Sequence, residues 1–315
     1  MCGIIGFLAK DTVHRAASGR IMLEMLQALA RRGPDGAGYA GIGPELGPVD
    51  PPLLIRVAGR DPGIARRLDG LGSVVGDGPR VEGETIRIAF QLAPGATAGQ
   101  VEAAIDGSVG TPEVIAMGSR LELAKGVGPP RSLEALHAVS RFAGPVVIGH
   151  TRMSTESKID LCHSQPFWIH GLLDHAIVHN GHITNYHRLR RRFEQEGSRF
   201  FTDNDSEVIG VYLRRCLDRG LSLVEAMERS VVDLDGSFNY LVAAPQGLGV
   251  VRDRHGWKPL VLAETAEYTA VATEEIALAR ALSRSDQARE PAPGSALFFP
   301  APSQAASGPS RSTGT

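Results

Sequence analysis

Residues 1–7 read MCGIIGF, placing a cysteine directly behind the initiator methionine and following it with glycine and a short apolar run. Two readings are open. Free cysteine is among the most buried residue types, so Cys2 can be a small hydrophobe at the head of a buried strand. Alternatively, removal of Met1 leaves a first residue that carries both a thiol and a free amine. An α-amino group with a pKa of about 7.7 to 8.0 is a suitable base for activating its own thiol.

The remaining composition narrows the class of protein. The chain has 315 residues, 43% of them hydrophobic, which is enough for one large core or two moderate ones. A formal net charge of -2, with no basic stripe interleaved with aromatics, argues against a nucleic-acid partner. The arginine run RLRRRF at 188–193 lies on an expected helix and reads as a solvated face. Three widely spaced cysteines give no disulfide framework and suggest a reducing compartment. No cysteine pair falls at C-x-x-C spacing, so no metal site is expected. No apolar run has the length of a membrane span, and the N-terminus has no basic leader with a long apolar region. A cytoplasmic protein without a membrane partner is the expectation.

CGIIGFLA reads as a buried strand, and residues 14–33 as a helix with Ile21, Met22, Met25, Leu26 and Leu29 on one side, stopped by RGPDGAG. From about 43 to 144 the chain becomes rich in glycine and proline. Its short elements are TIRIAFQL (strand), GQVEAAIDG (helix) and PEVIAMGSRLELAK (strand), which suggest an inserted α+β lobe. GIGPELG within it lacks the glycine spacing and following helix of a dinucleotide fingerprint. PVVIGHTR and HAIVHNG resume the core as strands, helices are expected near 184–196, 205–218 and 222–234, and SFNYLVAA, LGVVRDR, PLVLAE, YTAVA and ALFFP supply further strands. The small, polar tail 301–315 is expected to be disordered. Strands at both ends of the core with helices between them predict two packed sheets covered by helices, a four-layer αββα sandwich of the α+β class whose first strand is central.

MCGIIGF, RRGPDGAG, GHTRMST, SQPF, HNGHITN, TDNDSE, GSFNYLV, DRHGWKPL and VATEE occur in that order. Together they resemble the class II glutamine amidotransferases, whose glutaminase domain is an N-terminal nucleophile (Ntn) hydrolase. The resemblance covers residues 2–300 apart from the lobe and implies a glutaminase with Cys2 as nucleophile and glutamine as substrate. It implies further that Asn180 and Gly181 form the oxyanion hole, that Arg152 pairs with the substrate α-carboxylate, and that Asp205 accepts from its ammonium. Arg32, Gly33 and Asp35 would line the glutamine site, and His150 and Thr155 would shape its walls. Read singly, Arg152 also suits a buried ion pair, Asp205 a helix N-cap, and Asn180 with Gly181 a turn.

The chain has no SGGxDS loop, no phosphoribosyl-binding signature and no room for sugar-isomerase domains, so a glutaminase domain alone is expected. GHTRMSTES followed by HSQPF, with a long insertion ahead, is most similar to the amidotransferase subunits of split glutamate synthases and N-methylglutamate synthase. Met153 and Glu156 stand where the sugar-phosphate branch has tryptophan and histidine. The resemblance implies a separate synthase subunit in a hetero-oligomer, with FMN and an iron–sulfur centre in that partner and no cofactor in this chain. A free-standing Ntn hydrolase of another amide and a non-catalytic interaction subunit are the alternatives.

Overall fold

The computed structural model describes residues 2–44, 51–106, 113–154, 159–282 and 288–302. The chain opens with β1 (Gly3–Ala9), α1 (Thr12–Ala28) and β2 (Gly36–Ile42). A lobe follows, made of β3 (Leu53–Ala58), β4 (Gly72–Val74), β5 (Arg80–Glu82), β6 (Thr85–Leu92), α2 (Ala98–Asp106) and β7 (Val114–Gly118). The core resumes with β8 (Leu121–Val127), α3 (Pro130–His137), β9 (Val146–Arg152), β10 (Phe167–Trp168) and β11 (Ala176–Ile183). Helices α4 (Tyr186–Gln195), α5 (Asp205–Asp218) and α6 (Leu223–Asp233) lead into β12 (Gly236–Ala244) and β13 (Gly247–Arg252). The last elements are β14 (Val261–Glu264), β15 (Tyr268–Ala272), α7 (Glu275–Ala281) and β16 (Ala296–Pro300).

Two antiparallel sheets form the sandwich, one ordered β14-β15-β1-β9-β2-β8 and the other β10-β11-β12-β13-β16. Strand alternation decides what each face packs against. Ile4, Leu8, Ile148, Val178 and Leu241 fill the space between the sheets. Ile5, Phe7 and Val147 face outward onto α1 and α7, which contribute Met22, Leu26, Ala277 and Leu278. On the far side, Ile177, Tyr240 and Val242 meet Val208, Leu213 and Met227 of α5 and α6. The result is the four-layer α+β Ntn sandwich. Gly6 lies where the layers touch, and a Cβ there would lie 3.0 Å from Leu241 Cδ1, so a larger residue would have to displace that side chain. Among the described residues, no helix is long and apolar enough to cross a membrane.

The lobe has its own sheet, ordered β4-β6-β3-β7 with β5 alongside β6. Its apolar interior, including Ile55, Ile88 and Val101, is continuous with the core between the two main sheets. The expected boundary at 144 is corrected by the pairing of β8 with β2 along their whole lengths, which returns the chain to the main sheet at Leu121. The single strand expected over PEVIAMGSRLELAK is two strands, broken at Ser119 and Arg120. The break is held from outside. Asp174, at φ +61°, accepts from the Arg120 and Leu121 N–H groups at 2.7 Å each with Oδ1, and from Ser119 Oγ at 3.2 Å with Oδ2. Gly118 makes room for it, since a Cβ would lie 2.0 Å from Oδ1. The tail beyond 302, part of the segment expected to be disordered, lies outside the described residues.

Asp174→Ala is expected to lower unfolding free energy by roughly 3 kcal/mol, because three donors, two of them main-chain amides, lose a charged acceptor at once. Urea denaturation at neutral pH measures it, and a loss below about 1 kcal/mol would show that the turn does not depend on this carboxylate.

Candidate active site

Cys2 precedes a strand that is paired on both edges. β1 is antiparallel to β15 on one side and to β9 on the other, with Ile5 opposite Ala272 and Gly149. Chain termini ordinarily fray, and further contacts oppose that here. Thr273 Oγ1 accepts from Ile4 N–H at 2.8 Å, and Thr273 N–H donates to the Ile4 carbonyl at 3.0 Å. Arg32 Nε donates to the Cys2 carbonyl at 3.2 Å while its guanidinium pairs with Glu274. The thiol is half-buried, and its Sγ lies 3.5 Å from the Met153 nitrogen and 3.6 Å from the Met153 oxygen. By alternation with Ile4 and Leu8, the Cys2 side chain belongs to the face between the sheets.

The GPDG turn clamps the end of β9. A Cβ on Gly33 would sit 2.4 Å from the Thr151 carbonyl carbon and 2.5 Å from the Arg152 nitrogen, so only glycine allows the approach. Asp35 N–H donates to the Arg152 carbonyl at 3.0 Å, and Asp35 Oδ2 accepts from Ser154 N–H at 2.8 Å. Arg152 is 4% exposed. The structure thus brings Cys2, Arg32, Gly33, Asp35 and Arg152 to one end of the first sheet. Thr155 lies outside the described residues.

Asn180 and Gly181 sit within β11 of the second sheet rather than in a turn after it, since the strand continues to Ile183. Asn180 is opposite Asn239 in the β11–β12 register, and both are buried. Asn239 Nδ2 donates to the Lys258 and Pro259 carbonyls at 3.2 Å each. Gly181 has φ +139°, and a Cβ there would be 2.1 Å from the Ser237 carbonyl oxygen. Asp205 opens α5, but the cap is its neighbour. Asn204 accepts from Ser206 N–H at 3.0 Å, which corrects the N-cap reading of Asp205. Asp205 Oδ2 instead accepts from Ile183 N–H at 2.9 Å, tying the helix start to β11.

Histidines connect these two groups. His150 is fully buried on β9 beside His179 and Arg152, and its pKa is pushed down to about 3, by burial first and then by the neighbouring His179 imidazole and Arg152 guanidinium. Burial also lowers the pKa of His179, whose Nδ1 is 2.8 Å from Ser206 Oγ and 3.8 Å from Asp205 Oδ1. Gln165 bridges this pair, accepting from His179 N–H at 2.6 Å and donating to Ser206 Oγ at 3.1 Å. Sequence reasoning assigned no role to Thr273, Glu274, Gln165, Ser206 or Asn239. Each falls inside one of the ordered motifs, and that was the available signal.

A family model described as a glutamine amidotransferase domain matches residues 150–280. A protein of Methanothermobacter thermautotrophicus provisionally named a glutamine amidotransferase is 38% identical over 91% of this chain and 95% of its own length. The chain belongs to the glutamine amidotransferase family. The "glutamine amidotransferase-like protein GlxB" of Rhizobium meliloti is 34% identical over 95% of this chain and 98% of its own. An amidophosphoribosyltransferase of M. thermautotrophicus is 39% identical over 47% of this chain and only 30% of its own length. The solved glutamine phosphoribosylpyrophosphate amidotransferase of B. subtilis shares the fold, with a TM-score of 0.62 at 20% identity over 95% of this chain and 47% of that one. With the Ntn sandwich, these place this amidotransferase in class II.

Neutral His150 makes the amidotransferase sensitive to acid. Its pKa is far lower folded than the ordinary 6.5, so the unfolded chain binds the extra proton and folding stability falls as pH drops below about 6.5 towards about 3. The expected slope from this residue is about 1.4 kcal/mol per pH unit, and His150→Gln should remove that portion. Urea unfolding at pH values across this window measures both chains, and identical slopes would refute the assignment.

Proposed function

We propose that this amidotransferase hydrolyses the side-chain amide of glutamine through the thiol of Cys2, freed as an N-terminal residue by removal of Met1. The observation that carries this reading is a half-buried thiol held at the head of a central strand, its sulfur against the main chain of the residue following Arg152.

The amine of Cys2, acting through a water, takes the thiol proton, and the thiolate forms a C–S bond to the amide carbon of glutamine. The oxyanion is held by the Asn180 carboxamide and the Gly181 N–H, and the protonated amine supplies the proton with which ammonia departs. Water, deprotonated by the same amine, attacks the γ-glutamyl thioester, and glutamate leaves as the thiolate returns. Arg152 pairs with the substrate α-carboxylate, a task suited to a planar fork of donors. Asp205 takes the substrate ammonium. Ile183 already occupies Oδ2, which leaves Oδ1 for that contact. Arg32, Gly33 and Asp35 hold the wall behind the thiol, with His150 shaping its side.

The ammonia is consumed by a separate synthase subunit, of the glutamate synthase or N-methylglutamate synthase type, in a hetero-oligomer. Such a partner would carry any FMN and iron–sulfur centre. Support comes from the GHTRMST and HSQPF motifs and the long insertion ahead of them.

Cys2→Ala is expected to reduce ammonia release from glutamine by more than about a thousandfold with the circular dichroism unchanged. Near-normal turnover, or an intact mass showing Met1 retained on active protein, would sink the mechanism and favour a non-catalytic subunit or another nucleophile. Asn180→Ala should lower kcat about a hundred- to a thousandfold with little change in KM, because its donor matters most as charge develops. An effect on KM alone would remove Asn180 from the oxyanion hole.

A further inference from the structure

Away from Cys2, a cleft of about 460 Å³ opens on the seam between the lobe helix α2 and the core, lined by Glu102, Asp106, Trp168, His170, Arg199 and Phe201 among others. Glu102 and Asp106 are one helical turn apart, so α2 presents both carboxylates on one side. His170 follows β10, and its ring stacks on Phe201 with centroids 4.1 Å apart. One ligand atom from each of Glu102, Asp106 and His170 lies within 4.8 Å of the others.

Part of this cluster is explained by ordinary pairing. His170 Nδ1 is 2.9 Å from Glu102 Oε1, and Glu102 raises the pKa of the imidazole against the effect of burial. Asp106 is different. Only 2% of it is exposed, its Oδ1 accepts from Val114 N–H at 2.9 Å, and its Oδ2 is buried with no hydrogen-bond partner among the described residues. Arg199 does not supply one, since its guanidinium donates to the Asp106 main-chain carbonyl and stacks over Phe201. A buried carboxylate oxygen left unmet is unfavourable unless something outside the chain meets it.

The geometry points to a divalent metal site of the Zn²⁺ or Mn²⁺ class, ligated by Glu102, Asp106 and His170. One imidazole with two carboxylates suits borderline first-row ions; soft ions favour sulfur, and magnesium and calcium favour all-oxygen sets. The cleft leaves room for waters or a small anion to complete the coordination. Two ligands belong to the lobe and one to the core, so the bound ion ties the two together.

The chain is stripped with EDTA, dialysed against ZnCl₂ or MnCl₂, and its metal content measured. About one ion per chain is expected, with a raised melting temperature, and Asp106→Asn and His170→Gln should each weaken affinity more than about tenfold while ammonia release persists. Less than about one-tenth of an ion per chain for both metals, or unchanged affinity in both variants, would overturn the site. Should either variant fail to fold, Co²⁺ loaded into the unaltered chain decides. Weak visible bands without thiolate charge transfer support nitrogen and oxygen ligands, whereas a charge-transfer band assigns the metal to a cysteine.

Discussion

The structure depends on the first strand of the chain lying inside a sheet instead of at its edge. β1 has a partner along both sides, and every residue in it is buried. An edge strand would leave a row of unpaired main-chain groups and a terminus free to move. The central position ties Gly3–Ala9 into the sheet along both edges, and it exposes β1 on two faces to different neighbours. Ile4, Gly6 and Leu8 look into the space between sheets, and Ile5, Phe7 and Ala9 look under α1. The apolar run after Cys2 is therefore continuous because both faces are covered.

Much of this is visible in the amino-acid sequence because it rests on local patterns. The run from Gly3 to Ala9 reads as a doubly buried strand, the apolar positions of α1 recur at helical spacing, and glycine with proline marks the turn before β2. The lobe boundary was less legible. PEVIAMGSRLELAK has strand-forming residues on both sides of a two-residue break, and the agent that stabilises the break, Asp174, comes from a distant loop. The Asn204–Asp205 pair shows a similar limit, since both residue types cap helices well and only the backbone path decides which one does.

Long-range partnerships were illegible for the same reason. Thr273 reaches the head of β1, and Glu274 the Arg32 guanidinium that holds the Cys2 carbonyl, only because β15 lies beside β1, and Gln165 meets His179 only across the turn from β10 to β11. Glu102 and Asp106 do have helical spacing, but their proximity to His170 follows from the packing of α2 against the core. A search by ligand spacing along the chain therefore passes over them.

The contacts around Cys2 divide by chemical type. The anchors that locate the site are largely main-chain groups: the carbonyls of Cys2 and Arg152, the amides of Ile4, Ser154 and Ile183, and both polar groups of Met153. Side chains that hold these groups, such as Thr273 and Asp35, approach from turns outside the strands. Main-chain anchoring is insensitive to the identity of the anchored residue, which separates holding a strand end from choosing the side chain it displays. The two glycines that matter most, Gly33 and Gly181, extend the same logic, because each lets one backbone approach another where any Cβ would collide. A thiol and a guanidinium can then be presented at strand ends whose positions they do not themselves have to maintain.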